Sequence, residues 1–226
     1  ILLLNKSQYD DSYKYLKKLD GLEKSHPNFS SIYLYTLINS KKFNQAFAYS
    51  KKLEKDDQES FESNIITGIY YSKNNKNELA KKYFLKAKEK SPKTILDNYL
   101  INSLYSWSDL KGKNIEESLS DFQKLDERFS NLKKIQDTFL YSFFGHNNAE
   151  KYFNELTSDQ KTDFSRYNYF YAKYLHSRGK VQEAKKILNS SLEKHPRNLL
   201  LNQYKLDLEN SDNNFSFDFK NETHII

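Results

Sequence analysis

Three observations predict an all-α fold. Only five Gly and three Pro occur in 226 residues, too few breakers for an all-β or loop-rich chain. Lys, Leu, Glu and Ala are abundant, and charged and apolar residues alternate in long runs that suit helices. A pattern of small, large and turn residues also returns about every 34 positions. The 18 Tyr and 16 Phe argue for a packed core despite a polar average composition.

The pattern is clearest when residues 67–94 (TGIYYSKNNKNELAKKYFLKAKEKSPKT) are laid over residues 171–198 (YAKYLHSRGKVQEAKKILNSSLEKHPRN). No gap is needed. Gly68 falls on Ala172, Tyr71 on Leu175, Asn75 on Gly179, Ala80 on Ala184, Phe84 on Leu188 and Pro92 on Pro196. Each position has a packing reason. A small residue in a first helix lets a second helix cross closely, and an Ala early in the second helix does the same from the other side. Large residues three or four positions away share that face and fill the space between. Asn75 and Gly179 suit a tight turn because they tolerate positive φ. The Pro ends the second helix and sets the entry to the next hairpin.

Weaker copies follow from the same anchor. The second-helix small residue reads Ser12, Ala46, Ala80, Ser118, Ala149 and Ala184, at intervals of 34, 34, 38, 31 and 35 residues. Four positions on, the residue reads Leu16, Ser50, Phe84, Phe122, Phe153 and Leu188; only Ser50 is out of class, with Phe47 and Tyr49 beside it as substitutes. Three further on come Leu19, Leu53, Ala87, Leu125, Leu156 and Ser191. The uneven intervals predict a lengthened turn in SDLKGKN (108–114) and a shortened one in FFGHNN (143–148).

This pattern resembles the tetratricopeptide repeat family, whose unit is a 34-residue helical hairpin. The resemblance is specific in residues 61–94 and 165–198, and weaker around 97–130 and 131–157. It implies a right-handed α-α superhelix (solenoid) over residues 1–210: about five full repeats, a leading half repeat and a C-terminal helix at 199–210. Residues 211–226 read as an extended or loosely ordered tail leading into further sequence, with a Phe215, Phe217, Phe219 row that needs somewhere to dock. Both ends read as cuts in a longer, bacterial chain.

The formal charge of +6 comes from 36 basic against 30 acidic residues. Only four of the basic residues are Arg (Arg128, Arg166, Arg178, Arg197), and the lysines are interleaved with Glu and Asp along nearly every helix. That is a solvated helix face rather than a nucleic-acid surface, which favours clustered guanidinium groups. With no Cys, disulfides, thiolate nucleophiles and Fe–S ligation are excluded.

Catalytic and metal constellations do not emerge. The five histidines, His26, His146, His176, His195 and His224, form no His-Glu-x-x-His pattern. No Gly-x-Ser-x-Gly occurs, and Gly112-Lys113 lacks the rest of a phosphate loop. Adjacent carboxylates such as Asp10-Asp11, Asp56-Asp57 and Glu116-Glu117 read as helix-start acids favoured by the dipole. The chain is therefore read as a non-enzyme with no cofactor and no metal.

In the resembled family the first helix of each repeat lines a concave groove. The resemblance carries that groove to Asn28, Ser31, Tyr35 and Ile38, to Glu62, Ile65, Ile69 and Ser72, and to Arg166, Tyr169, Lys173 and His176. The irregular middle adds Leu100, Leu104, Trp107, Phe139 and Phe143. Trp107 reads either as an exposed anchor or, the favoured reading, as a core residue. Family members that grip acidic peptide ends carry a Lys/Asn/Arg clamp where this chain has Ser31, Tyr35, Ile65 and Ile69, so that partner is disfavoured. The expectation is a protein–protein interaction scaffold that takes a helix or an extended peptide in an apolar, aromatic groove. The alternatives are a helical-repeat RNA binder, though Ser31, Ile65 and Tyr169 spell no base code, and a support for a catalytic domain elsewhere in the full chain. Nucleic acid is the less favoured partner, no membrane span is present in this segment, and the cell envelope is slightly favoured over the cytoplasm.

Overall fold

The protein's structure, a computed structural model, describes residues 2–19, 21–26, 28–124, 126–158, 165–210 and 217–225. The described residues contain fourteen α-helices, short 3-10 turns and no strand. None of these helices is long and apolar enough to cross a membrane.

The chain divides into two compact units, Ile1–Asp109 and Leu110–Ile226. The first holds α1 (Leu2–Asn5), α2 (Tyr9–Leu16), α3 (Phe29–Asn39), α4 (Phe43–Lys55), α5 (Phe61–Lys73), α6 (Asn77–Lys90) and α7 (Ile95–Ser108). The second holds α8 (Ile115–Gln123), α9 (Ser130–Phe143), α10 (Ala149–Ser158), α11 (Ser165–Ser177), α12 (Val181–Lys194), α13 (Leu199–Asn210) and α14 (Glu222–Ile225). Within each unit, helices up to α7 or α13 pack on their neighbours in chain order. α3 also meets α5, and α11 meets α13, so alternate helices share a second contact layer.

A repeated turn explains this pairing. Ser7, Lys41 and Asn75 in the first unit, and Gly112, Gly145 and Gly179 in the second, all hold a left-handed φ between 56° and 82°. In five of the six, the next residue donates its N–H to the carbonyl five positions back: Gln8 to Leu3, Lys42 to Leu37, Lys76 to Tyr71, His146 to Tyr141 and Lys180 to Leu175, at 2.8–2.9 Å. This is the six-to-one bond that closes a helix end and satisfies an orphan carbonyl. The anchoring small residue, five positions after each turn residue (six at Ser118, four at Ala149), is buried in every copy. The turn expected to be lengthened spans residues 109–114 between α7 and α8, longer than 40–42, 74–76 and 178–180 in the regular hairpins. The one expected to be shortened spans 144–148 between α9 and α10 and is also longer than those, because α10 begins only at Ala149.

Large residues then fill the space the small ones leave. Phe84, Phe122, Phe153 and Leu188 are fully buried or nearly so. A Cβ on Gly68 would stand 2.4 Å from Phe84 Cε1, so this first-helix position is small because the ring occupies the space. One period earlier the sizes reverse: the equivalent pair is Leu34 and Ser50, both buried. Tyr49 lies in the same core cluster as Leu34, whereas Phe47 stacks on Tyr70 with ring centroids 3.7 Å apart. Ser50 is therefore matched by an enlarged residue one period from Gly68, and of its two neighbours Tyr49 joins the same core while Phe47 stacks on Tyr70. In the third row of the pattern Leu53, Ala87, Leu156 and Ser191 are buried, Leu19 is exposed, and Leu125 lies outside the described residues.

Side chains set the starts of α5, α7 and α8. Ser60 with Ser63, Thr94 with Asp97 and Asn114 with Glu117 form reciprocal capping boxes at α5, α7 and α8. Charged groups tie the second helices together in the first unit. Glu54 on α4 accepts from Lys51 on its own helix, from Tyr83 at 2.8 Å and from Lys86 at 2.5 Å, both on α6. Burial pushes the Glu54 carboxyl up, but these hydrogen bonds outweigh it and hold its pKa at about 2. In the second unit Lys180, just after the Gly179 turn, reaches Glu150 on α10 at 2.7 Å.

Residues 217–225, read from the sequence as part of an extended or loosely ordered tail, hold a buried Phe219 and the short α14. Phe215 lies outside the described residues.

Candidate partner-binding cleft

An apolar concavity stands open between first helices of the first unit. On α5, Ile66, Ile69, Tyr70 and Lys73 fall at i, i+3, i+4 and i+7, which places them on one face. Ile38 near the end of α3 and Phe43 at the start of α4 face them across a cleft of about 300 Å³. Phe43 is 51% exposed, Ile69 39% and Ile38 36%. Water therefore touches three large apolar side chains in one place, an arrangement that favours an apolar occupant. The Phe47–Tyr70 stack fixes the Tyr70 ring that forms one wall. A second hollow, lined by Lys41, Lys42, Phe43, Asn44, Gln45 and Lys73, adjoins the first through Phe43 and Lys73. The cleft thus has an apolar floor and a lysine-rich lip.

The groove positions carried over from the family resemblance separate in the structure. Asn28, Tyr35, Glu62, Ile69, Arg166 and His176 are exposed, and so are Ile38 and Leu100. Ser31, Lys173 and Phe143 are half-buried. Ile65, Tyr169, Trp107, Ser72, Leu104 and Phe139 are buried. The physical reason is that a first helix is covered on two sides, by its own second helix and by the next first helix, so a residue one turn off the open face is enclosed. Trp107, 3% exposed, takes the core place. Tyr169 is enclosed by α13, where Tyr204 meets its ring edge-on at 5.2 Å. Of the carried-over positions, Ile38 and Ile69 line the cleft; Ile66, Tyr70, Phe43 and the lysines are additions.

In the second unit the corresponding surface is differently used. Lys173 stands over the Tyr169 ring at 5.7 Å and the Tyr204 ring at 5.4 Å. Its burial pulls the ammonium pKa down, with Asp207 opposing the shift. Arg166 lies over the Tyr167 ring at 5.0 Å and donates to the Tyr167 hydroxyl at 3.0 Å. Burial pushes the Tyr204 hydroxyl up to about 12. These groups pack against one another. Among the described residues no three His, Asp or Glu side chains gather as a metal site would require.

No protein-family model and no curated protein matches this chain.

Proposed function

We propose that the chain is a non-catalytic protein-interaction scaffold, built of tetratricopeptide-type hairpins in a right-handed superhelix, and that it seats a peptide segment of a partner protein in the cleft between α3 and α5. The observation that carries this reading is the cleft itself: Ile38, Phe43 and Ile69 stand partly in water on a surface that the recurring hairpins hold in place. The left-handed turns and buried small residues support the repeat assignment. An interface of this kind draws its affinity from desolvating a few large side chains inside a polar rim.

The test is a random peptide library displayed against the purified chain, with Ile69→Glu as the counter-screen. Ile69 is partly exposed, so its substitution leaves the core filled. Peptides enriched on the wild-type chain and lost on Ile69→Glu support the reading. A folded wild-type chain that enriches nothing, or enriches peptides indifferent to Ile69, overturns it.

A further inference from the structure

The second unit already holds a peptide-like segment, and it is the chain's own. Phe217 and Phe219 lie against α9 and α11: Phe219 stands 6.2 Å from Phe139 and 5.7 Å from Tyr174, and Phe217 stands 6.1 Å from Phe139 and 5.0 Å from Phe170, centroid to centroid. Phe219 also meets Phe153 of α10 edge-on at 5.9 Å. Asp218, between the two rings, is exposed, and its backbone N–H donates to His224 Nδ1 at 3.0 Å.

Three period shifts map this seat onto the first unit. Phe139, Phe170 and Tyr174 fall 104 residues after Tyr35, Ile66 and Tyr70, respectively. Ile66 and Tyr70 line the open cleft, whereas Tyr35 is exposed and its ring meets Tyr9 of α2 edge-on at 6.0 Å. Two residues of the filled seat, Phe170 and Tyr174, thus correspond to two residues that line the open cleft, Ile66 and Tyr70. The open copy also carries the lysines of its lip, Lys41, Lys42 and Lys73, which complement a carboxylate held between two rings.

Resting on the scaffold reading above, we infer that the α3–α5 cleft binds an extended partner segment with two aromatic side chains two residues apart and an acidic residue between them. The two rings enter over Ile66, Ile69 and Tyr70, and the carboxylate faces Lys73 at the lip. Specificity resides in the spacing of the rings, because an extended strand turns alternate side chains to the same side. The segment shares the ring-acid-ring order of the chain's own tail but belongs to a different protein.

The test uses fluorescein-labelled peptides of residues 213–223 (NNFSFDFKNET), titrated into the whole chain by anisotropy. Saturable binding is expected. It should fall at least about tenfold when both ring positions corresponding to Phe217 and Phe219 are Ala in the peptide, or when the chain carries Ile69→Glu. Lys73→Glu, at an exposed position, should weaken binding severalfold and reduce its salt dependence; this second variant keeps the test valid if Ile69→Glu fails to fold. Binding that survives Ile69→Glu and increases in a Phe217→Ala/Phe219→Ala chain would place the peptide in the second unit and overturn the inference. Concentration-dependent dimerisation lost in that same double variant would assign the cleft to a second copy and also overturn it. If this peptide fails while the library enriches other sequences lost on Ile69→Glu, the ring-acid-ring specificity falls and the scaffold reading stands. If neither binds, both fall.

Discussion

The two units make the same turn with different residues. In the first, Ser7, Lys41 and Asn75 hold φ near 57°; in the second, Gly112, Gly145 and Gly179 hold φ between 63° and 82°. A side-chain-bearing residue pays roughly 1–2 kcal/mol to enter this region and Gly does not. Gly instead loses more freedom on folding, about 0.5–1 kcal/mol relative to Ala. The two solutions are close in net free energy, so the conformation recurs more faithfully than the residue. Gly68 teaches the converse. Its φ is not left-handed, but its missing Cβ is space that Phe84 fills. One kind of glycine here serves the backbone and the other serves a neighbour's ring.

The sharpest way to break that comparison is to exchange the sizes across a hairpin. Phe84→Ser should cost about 3–5 kcal/mol, since it empties a fully buried aromatic site. Gly68→Leu should cost at least about 3 kcal/mol, because its Cβ alone meets the ring at 2.4 Å. The double variant recreates the Leu34–Ser50 arrangement, and denaturant melts should show it losing at least about 1 kcal/mol less than the sum. Strict additivity would show that the sizes are unrelated.

A smaller effect separates the units by charge. Glu54→Gln should cost about 1–2 kcal/mol at pH 7, after allowance for solvent screening. The Glu54 carboxyl is held low, so its contribution is present above its unfolded pKa near 4.5 and is lost as pH falls towards about 2. Wild type and variant should therefore converge in acid, and urea titrations at pH 7 and pH 3 would check it.

The turns come next. Gly179→Ala should cost about 1 kcal/mol through φ alone, since nothing lies within 4 Å of the added Cβ. Lys41→Gly should change stability by no more than about 0.5 kcal/mol, because relief of strain and lost chain stiffness oppose each other. Thermal melts of the two single variants read the contrast directly.

The smallest expected change has the opposite sign. Burial pushes the Asp137 carboxyl up, against the pull of Lys133, and its Oδ1 has no hydrogen-bond partner. A raised carboxyl favours the folded state only when protonated, so stability declines as pH rises through and above its ordinary pKa. Asp137→Asn should melt slightly above wild type at pH 7, and the gap should close near pH 3, where the carboxyl is neutral in both states, to about the ordinary limit.

Much of the helical order was legible because it is local. The turn residue, the small residue five positions on and the filler four beyond that are set by one helix's geometry and repeat in the letters themselves. The compensating pair Leu34 and Ser50 was not legible, since its logic joins two positions sixteen apart and shows only when both sizes are read together. Nor was the enclosure of Ile65 and Tyr169. Helical spacing identifies one apolar stripe, but these first helices are covered from two directions, and the second cover comes from another hairpin. The cleft was half visible: Ile38 and Ile69 follow from groove positions, whereas Phe43 and Tyr70 enter through the bend of the turn and the stack on Phe47. Phe217 and Phe219 announced a need to dock by their alternation alone, and their seat on α9 and α11 is a property of the folded surface.

That seat has a mechanical consequence. Where helices touch only their neighbours in the chain, a stack can fray from either end, one hairpin at a time. Phe219 touches Phe139, Phe153 and Tyr174, and so fastens α9, α10 and α11 together across some eighty residues of chain. Pulled from its C-terminus, the second unit must release this clasp before any hairpin peels away, and its last helices then yield in one step rather than several.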